Sequence, residues 1–264
     1  MSPKTLVVPL DGSAYAELAI PAALALAERI GGGLLLVSSQ YQGPLDPQSY
    51  LEESADRIET VPIDVIASKD VLAADVIIDT VTASDDRVVC MTTHGRGRLR
   101  WAALGSVAED VISRADRPMF LVGRNCRPDF LSRSSQLLAC TDGSYESEDL
   151  SPAAREWASI LGLDLRIAMV AHPLDVESAE TSEVLLRSLA AEFGDPDEIK
   201  ATMVRRRFVA GAIADLADEL PAALIGMNCH ARTGLTRFAL GSVTMAVLQF
   251  ASCPLLVTRR PLSK

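Results

Sequence analysis

Short apolar runs alternate with longer segments of helical spacing along this chain, and the alternation is laid down twice. In the first half Thr5–Leu10, Leu34–Ser38, Ile63–Ala67, Arg87–Thr92 and Met119–Val122 predict strands. In the second half Gln136–Cys140, Leu165–Ala171, Met203–Phe208, Ala223–Met227 and Leu255–Val257 do the same. Between them the spacing predicts helices over Ala14–Ile30, Leu72–Ala83 and Ser106–Ala115, then over Tyr145–Leu161, Gly211–Glu219 and Ser242–Ala251. Pro21 and Pro152 fall inside two of these helices, so a kink or a restart is expected there. The acidic stretch from Glu177 to Glu198 reads as a solvated helical insert. Strands alternating with helices call for a parallel, doubly wound sheet in each half.

The repetition is also visible residue by residue. Leu6–Ser13 (LVVPLDGS) returns as Leu137–Ser144 (LLACTDGS), a shift of 131 that also carries Pro21 onto Pro152 and Gly31 onto Gly162. Further along, His94, Gly105, Ser106 and Pro118 map onto His230, Gly241, Ser242 and Pro254 with a shift of 136. One constant offset that jumps once by five is the mark of a tandem duplication with a small insertion. The expected layout is a first domain over 1–125, a polar linker over 126–135 and a second domain over 136–264.

Charge and composition narrow the function. With 25 Lys and Arg against 35 Asp and Glu, the chain has a formal charge of −10, which argues against a phosphate-neutralising grip on nucleic acid. Aromatic residues make up only 5%, too few for base-stacking platforms. No apolar run reaches bilayer-spanning length, and the start MSPKTLVVPLDGS lacks the apolar core of a signal peptide, so no membrane contact and a cytoplasmic location are expected. Five cysteines without CxxC or Cys/His spacing read as reduced thiols rather than metal ligands.

The candidate chemistry lies in one loop of each half. In doubly wound sheets ligands settle beyond the carboxyl ends of the strands, which puts Asp11 and the loop after the fourth strand on one rim. That loop runs Thr92-Thr-His-Gly95-Arg-Gly-Arg-Leu-Arg-Trp-Ala-Ala-Leu-Gly105-Ser106. Gly105-Ser106 opens a helix whose unpaired amides and dipole favour an anion, Gly95 permits close backbone approach, and Arg96, Arg98 and Arg100 add positive charge. A helix capped by Ser106 with solvated arginines is the plainer reading of such a loop taken alone. In the second half Arg232, Gly241 and Ser242 recur at matching offsets, while Gly95 becomes Ala231.

These residues resemble the universal stress protein family, here as two such domains in one chain. The family's nucleotide motif is Gly, two residues, Gly, nine residues, Gly, then Ser or Thr. The first half reads Thr92, Gly95, Gly105-Ser106 at that spacing, and the second reads Asn228, Ala231, Gly241-Ser242. Thr92 is β-branched and suits a left-handed backbone poorly, whereas Asn228 tolerates it. Pro9-Leu10-Asp11 matches the end of the family's opening strand; the second half keeps Asp142 but has Cys140 for the proline.

The resemblance implies a flavodoxin-like sheet of strand order 3-2-1-4-5 in each half, with ATP, with or without magnesium, at the loop. Phosphates and ribose would lie against Thr92, Gly95, Arg96, Gly105, Ser106 and Val107, and the base near Pro9, Asp11 and Ser39. The equivalents in the second half would be Asn228, Ala231, Arg232, Gly241, Ser242 and Val243, with Asp142 and Val170. The first half is the expected site and the second is degenerate.

Other motifs reduce to packing or solvation. His94 and His230 flank the loops with neither nucleophile nor metal partners beside them. Trp101 has the non-aromatic Arg237 as counterpart, Gly95-Arg-Gly97 fails the dinucleotide fingerprint at Arg100, and no GxxxxGK[ST] occurs. Arg205–Arg207 reads as charge on an edge strand. The apolar last strand of each half is a liability unless it pairs, so an intramolecular pseudo-dimer through these strands is expected, with homodimerisation also open. Three functions follow: a regulatory protein that binds an adenine nucleotide, an interaction scaffold that binds none, and a slow ATPase or autokinase. No catalytic residues or metal ligands are identifiable for the third.

Overall fold

The computed structural model describes residues 4–40, 46–93, 104–142, 150–171, 173, 179–229 and 240–259. The first half runs β1 (Thr5–Pro9), α1 (Ala19–Ile30), β2 (Gly33–Gln40), α2 (Pro47–Ala55), β3 (Ile63–Lys69), α3 (Ala73–Thr82), β4 (Arg87–Thr92), α4 (Ser106–Arg114) and β5 (Met119–Val122). The second repeats the order as β6 (Gln136–Thr141), α5 (Leu150–Leu161), β7 (Asp164–Ala171), α6 (Ala179–Phe193), β8 (Lys200–Arg205), α7 (Val209–Glu219), β9 (Ala222–Cys229), α8 (Ser242–Phe250) and β10 (Leu255–Arg259).

The strands form one ten-stranded sheet in the order β3-β2-β1-β4-β5-β10-β9-β6-β7-β8. Each half therefore has the order 3-2-1-4-5 with parallel neighbours, two flavodoxin-like units in tandem. At the join β10 lies antiparallel to β5, with Leu256 opposite Phe120. Met119, Phe120, Leu121 and Val122 are all buried, because helices cover the strand's faces and β4 and β10 cover its edges.

The seam is also tied outside the sheet. Arg29 of α1 donates from Nε to the Leu161 carbonyl at the end of α5, 2.9 Å away. The segment 126–135, read as a polar linker, is docked: Arg127 N–H donates to Ser252 O at 2.9 Å and Phe130 is buried, while just before it Asn125 Nδ2 donates to Gln249 O at 2.7 Å. Gly123 leaves no room for a side chain, since a Cβ there would fall 2.1 Å from the Leu248 carbonyl oxygen.

Several elements differ from the pattern-based expectation. The first helix begins at Ala19, after a short 3-10 turn at Ala16–Leu18, rather than at Ala14. Pro21 thus sits in the first turn, where its missing N–H has no intrahelical partner to lose. Gly31 (φ 64°) and Gly162 (φ 62°) end α1 and α5 in the left-handed conformation that glycine adopts without a Cβ penalty. Strand β8 starts and ends earlier than Met203–Phe208, because Arg206 to Phe208 already turn toward α7. The acidic insert is not fully solvated: α6 buries Leu189, Ala190 and Phe193. Tyr145, the expected start of the second half's first helix, lies outside the described residues.

The joint between third and fourth helices is built differently in the two halves. Arg114 of α4 pairs with Asp75 of α3 at 2.6 Å. At the positions shifted by 136 stand Phe250 and Gly211. There Phe250 meets Phe208 edge-to-face at 5.6 Å, and Gly211 makes room for the Phe208 ring, which a Cβ would approach to 2.5 Å.

Candidate functional site

The carboxyl rim of the first half is assembled from four strand ends. Leu10 N–H donates to Val37 O at 2.8 Å, so the chain follows β2 one residue past β1 before Gly12 (φ 79°) turns it away. Asp11 Oδ1 then accepts from Ser13 N–H at 3.0 Å and Ser13 Oγ at 2.6 Å, and Ser13 Oγ accepts from Ala16 N–H at 3.2 Å. This local bonding, characteristic of an Asx turn, fixes the direction in which the chain leaves toward Tyr15.

Tyr15 is the tie between that turn and the next strand. Its phenol hydrogen-bonds the Thr93 side chain, and burial raises its pKa against the opposing pull of the Arg124 charge. Thr93 is almost fully buried at the end of β4, and its carbonyl accepts from Gly105 N–H at 2.8 Å. Asp11, Thr93 and the start of α4 are therefore held in one local framework. Thr92 precedes it inside β4, and Asn228 is its counterpart inside β9. Among the described residues Asp70 is the only non-glycine at positive φ, so neither exchange at the motif's first position costs backbone strain.

Among the described residues no side chain caps either helix start. Gly105 is the N-cap of α4 with φ −67° and ψ 144°, and Gly241 is the N-cap of α8 with φ −48° and ψ 146°. Neither conformation requires glycine. At Gly241 a Cβ would meet only Thr244 Oγ1, at 3.9 Å, so packing among the described residues does not require it either. A glycine N-cap brings no side-chain oxygen to the first-turn amides, where Ser, Thr, Asp or Asn ordinarily would. Ser106 and Val107 are exposed, as are Ser242 and Val243, with both valines 38% exposed.

On the β2 and β3 side the rim is acidic. Tyr50 of α2 donates from its hydroxyl to Glu17 Oε1 at 2.9 Å. Burial first, then the Glu17 bond and charge and the Asp11 charge, push the Tyr50 phenol up to about 12. Ser39 donates from Oγ to the Val71 carbonyl at 2.5 Å, closing the end of β2 onto the loop after β3. Asp46 caps α2 and pairs with Lys69 at 2.9 Å; that lysine and the Ser49 bonds hold its carboxyl at about 2.

The structure thus brings Pro9, Asp11, Ser39, Thr92, Gly105, Ser106 and Val107 to one rim. Asp142, Val170, Asn228, Gly241, Ser242 and Val243 share the corresponding rim of the second half. The antiparallel join puts those two rims at opposite ends of the sheet. Gly95, Arg96, Ala231 and Arg232, with His94, His230 and Trp101, lie outside the described residues. Sequence reasoning missed Tyr15, Thr93, Glu17 and Tyr50. The repeat gave no signal for the first two, whose counterparts are Glu146 and Cys229.

Burial pushes the Cys126 and Cys140 thiols up to about 12 and raises those of Cys90 and Cys253 further, which keeps them protonated. Among the described residues no group of three or more His, Cys, Asp or Glu could hold a metal ion. No helix among them is long and apolar enough to cross a membrane.

Comparison with known proteins places this geometry in a family. The model of the universal stress protein family matches twice, at residues 3–123 and 136–259. Universal stress protein Rv2005c of Mycobacterium tuberculosis is 30% identical over 191 residues, which is 67% of this chain and 63% of that protein. A universal stress protein of Mycolicibacterium smegmatis is 30% identical over 184 residues, 66% of this chain and 62% of that protein. The chain thus spans less than two thirds of the length of these relatives. A crystal structure of a universal stress protein from Archaeoglobus fulgidus superimposes with a TM-score of 0.66 at 18% identity, covering 97% of this chain and 98% of that one. A putative universal stress protein from Pseudomonas aeruginosa gives 0.64 at 18% identity, covering 97% and 93%.

Proposed function

The chain belongs to the universal stress protein family, and on that premise we propose that its first half binds an adenine nucleotide, ATP foremost, as a regulatory ligand in a stress response. The base lies toward Pro9, Asp11 and Ser39, and the phosphates against Gly105, Ser106 and Val107 with the loop residues Gly95 and Arg96. The units are residues 1–125 and 136–264, joined by 126–135, and the second keeps a weaker cradle at Asn228, Ala231, Arg232, Gly241, Ser242 and Val243. Magnesium, where present, arrives with the phosphates, since the described side chains build no metal site of their own.

One observation carries the reading. The chain keeps glycine at both helix N-caps where neither dihedral angle requires it. Ser, Asn and Asp are favoured over glycine at that position by a few tenths of a kcal/mol. Leaving such a side chain out gives up a stabilising bond and keeps the first-turn amides accessible to an anionic ligand, with the helix dipole favouring negative charge there. The acidic rim around Asp11 and Glu17 supplies acceptors for an exocyclic amine at the other end of the ligand.

Nucleotide retention tests this. Protein purified under native conditions and then denatured should release adenine nucleotide into the supernatant, or bind added ATP if purified empty. Gly105→Val should abolish the signal, and a thermal melt of the same variant separates lost binding from lost folding. A wild-type protein that stays empty after incubation with ATP would leave the scaffold function standing instead.

A further inference from the structure

Arg124 lies two residues past the end of β5 and stands exposed on the rim of the first half. The pairing of Thr92 with Val122 places it just beyond the end of β4, on the side away from Asp11. Its charge is felt by the Tyr15 phenol, which is bonded to Thr93, whose carbonyl in turn holds the amide of Gly105. The guanidinium is thus gathered around the same strand end from which α4 starts. Among the described residues no carboxylate pairs with it, in a chain that carries 35 acidic residues against 25 basic ones. An arginine also stands at position 260, the shift of 136 that relates the two halves here.

The rim is therefore polar along its length, with Asp11 and Glu17 on the β1 side and Arg124 on the β5 side. One helix start neutralises about half a charge, which matches a single phosphate group better than a chain of them. A guanidinium supplies a full charge and a planar fork suited to phosphate oxygens. Resting on the nucleotide reading of the first site, we propose that Arg124 grips the outer phosphates and makes this site selective for nucleoside di- and triphosphates over monophosphates.

Titration calorimetry of the full chain with ATP, ADP and AMP tests the assignment, in a Gly241→Val background that silences the second cradle. ATP should bind at least tenfold more tightly than AMP. Arg124→Gln should lower ATP affinity about tenfold and leave AMP affinity unchanged, and Arg124→Lys should recover part of the loss. An ATP to AMP affinity ratio unchanged in Arg124→Gln, with both still bound, would overturn the role of Arg124 alone. Failure of the Gly241→Val protein to bind any of the three would overturn both it and the nucleotide reading beneath it. A matching thermal melt for each variant excludes misfolding as the cause.

Discussion

Phe120 of β5 meets Trp157 of α5 edge-to-face, with ring centroids 4.6 Å apart and planes inclined by 82°. The last strand of one half is thereby packed by the first helix of the other, and both rings are almost completely buried. Phe120→Ala should cost about 3–5 kcal/mol, the usual range for emptying a buried aromatic site. In a Trp101→Phe background the emission of Trp157 should shift to the red as water reaches the seam. Unchanged emission and an unchanged urea midpoint would mean that the halves do not meet in solution as they do here.

A weaker effect is expected at the second clamp. Arg29 donates to the terminal carbonyl of α5, where a cation is favoured by the helix dipole. Arg29→Ala should destabilise by about 1 kcal/mol, read as a lowered urea midpoint with an unchanged slope.

Gly123 offers a test through backbone alone. A methyl group there is directed at the Leu248 carbonyl oxygen, so one of the two segments must move. Gly123→Ala should cost about 1–3 kcal/mol, as overpacking commonly does, and should lower the melting temperature of the whole chain.

If the open helix starts serve a ligand, closing them should stabilise the empty protein. Gly241→Ser fits without collision and adds a capping hydroxyl, for a gain of a few tenths of a kcal/mol. Gly105→Ser should do the same by calorimetric melting without nucleotide, and should narrow the gap between empty and nucleotide-loaded melting temperatures.

Alkaline pH should unfold the chain early. Cys90, Cys126, Cys140 and Cys253 are held above the ordinary thiol value of 9.0 by burial, and Tyr50 above 10.0 to about 12. A raised folded-state pKa means that the unfolded chain loses its protons first, so stability is full below pH 9 and falls as pH rises through 12. Urea midpoints at pH 8 and pH 10 should differ accordingly. Replacing Tyr50 with Phe should remove the part of the decline that begins near pH 10.

Strands buried on both faces were plain in the sequence because they are apolar runs; β4 falls on Arg87–Thr92 as read. Helix α2 was not seen, since in PQSYLEESA only Leu51 and Pro47 among the apolar residues are buried, too few to show a period. Its readable signal was the cap, Asp46 before Pro47, with Asp46 accepting from Ser49 N–H at 3.2 Å. Of the candidate site, Asp11-Gly-Ser and Gly105-Ser106 were each visible as a repeat, at Asp142 and at Gly241-Ser242. The Tyr15–Thr93 tie was not, because it joins residues 78 positions apart whose counterparts are Glu146 and Cys229.

The reversal of direction between β5 and β10 has a geometric result for anything that docks on this molecule. A partner that covers one cleft leaves the other uncovered, because the two open toward opposite ends of a single continuous sheet. One chain can thus meet two neighbours at once, back to back, with Phe120 and Trp157 packed at the seam between the two rims.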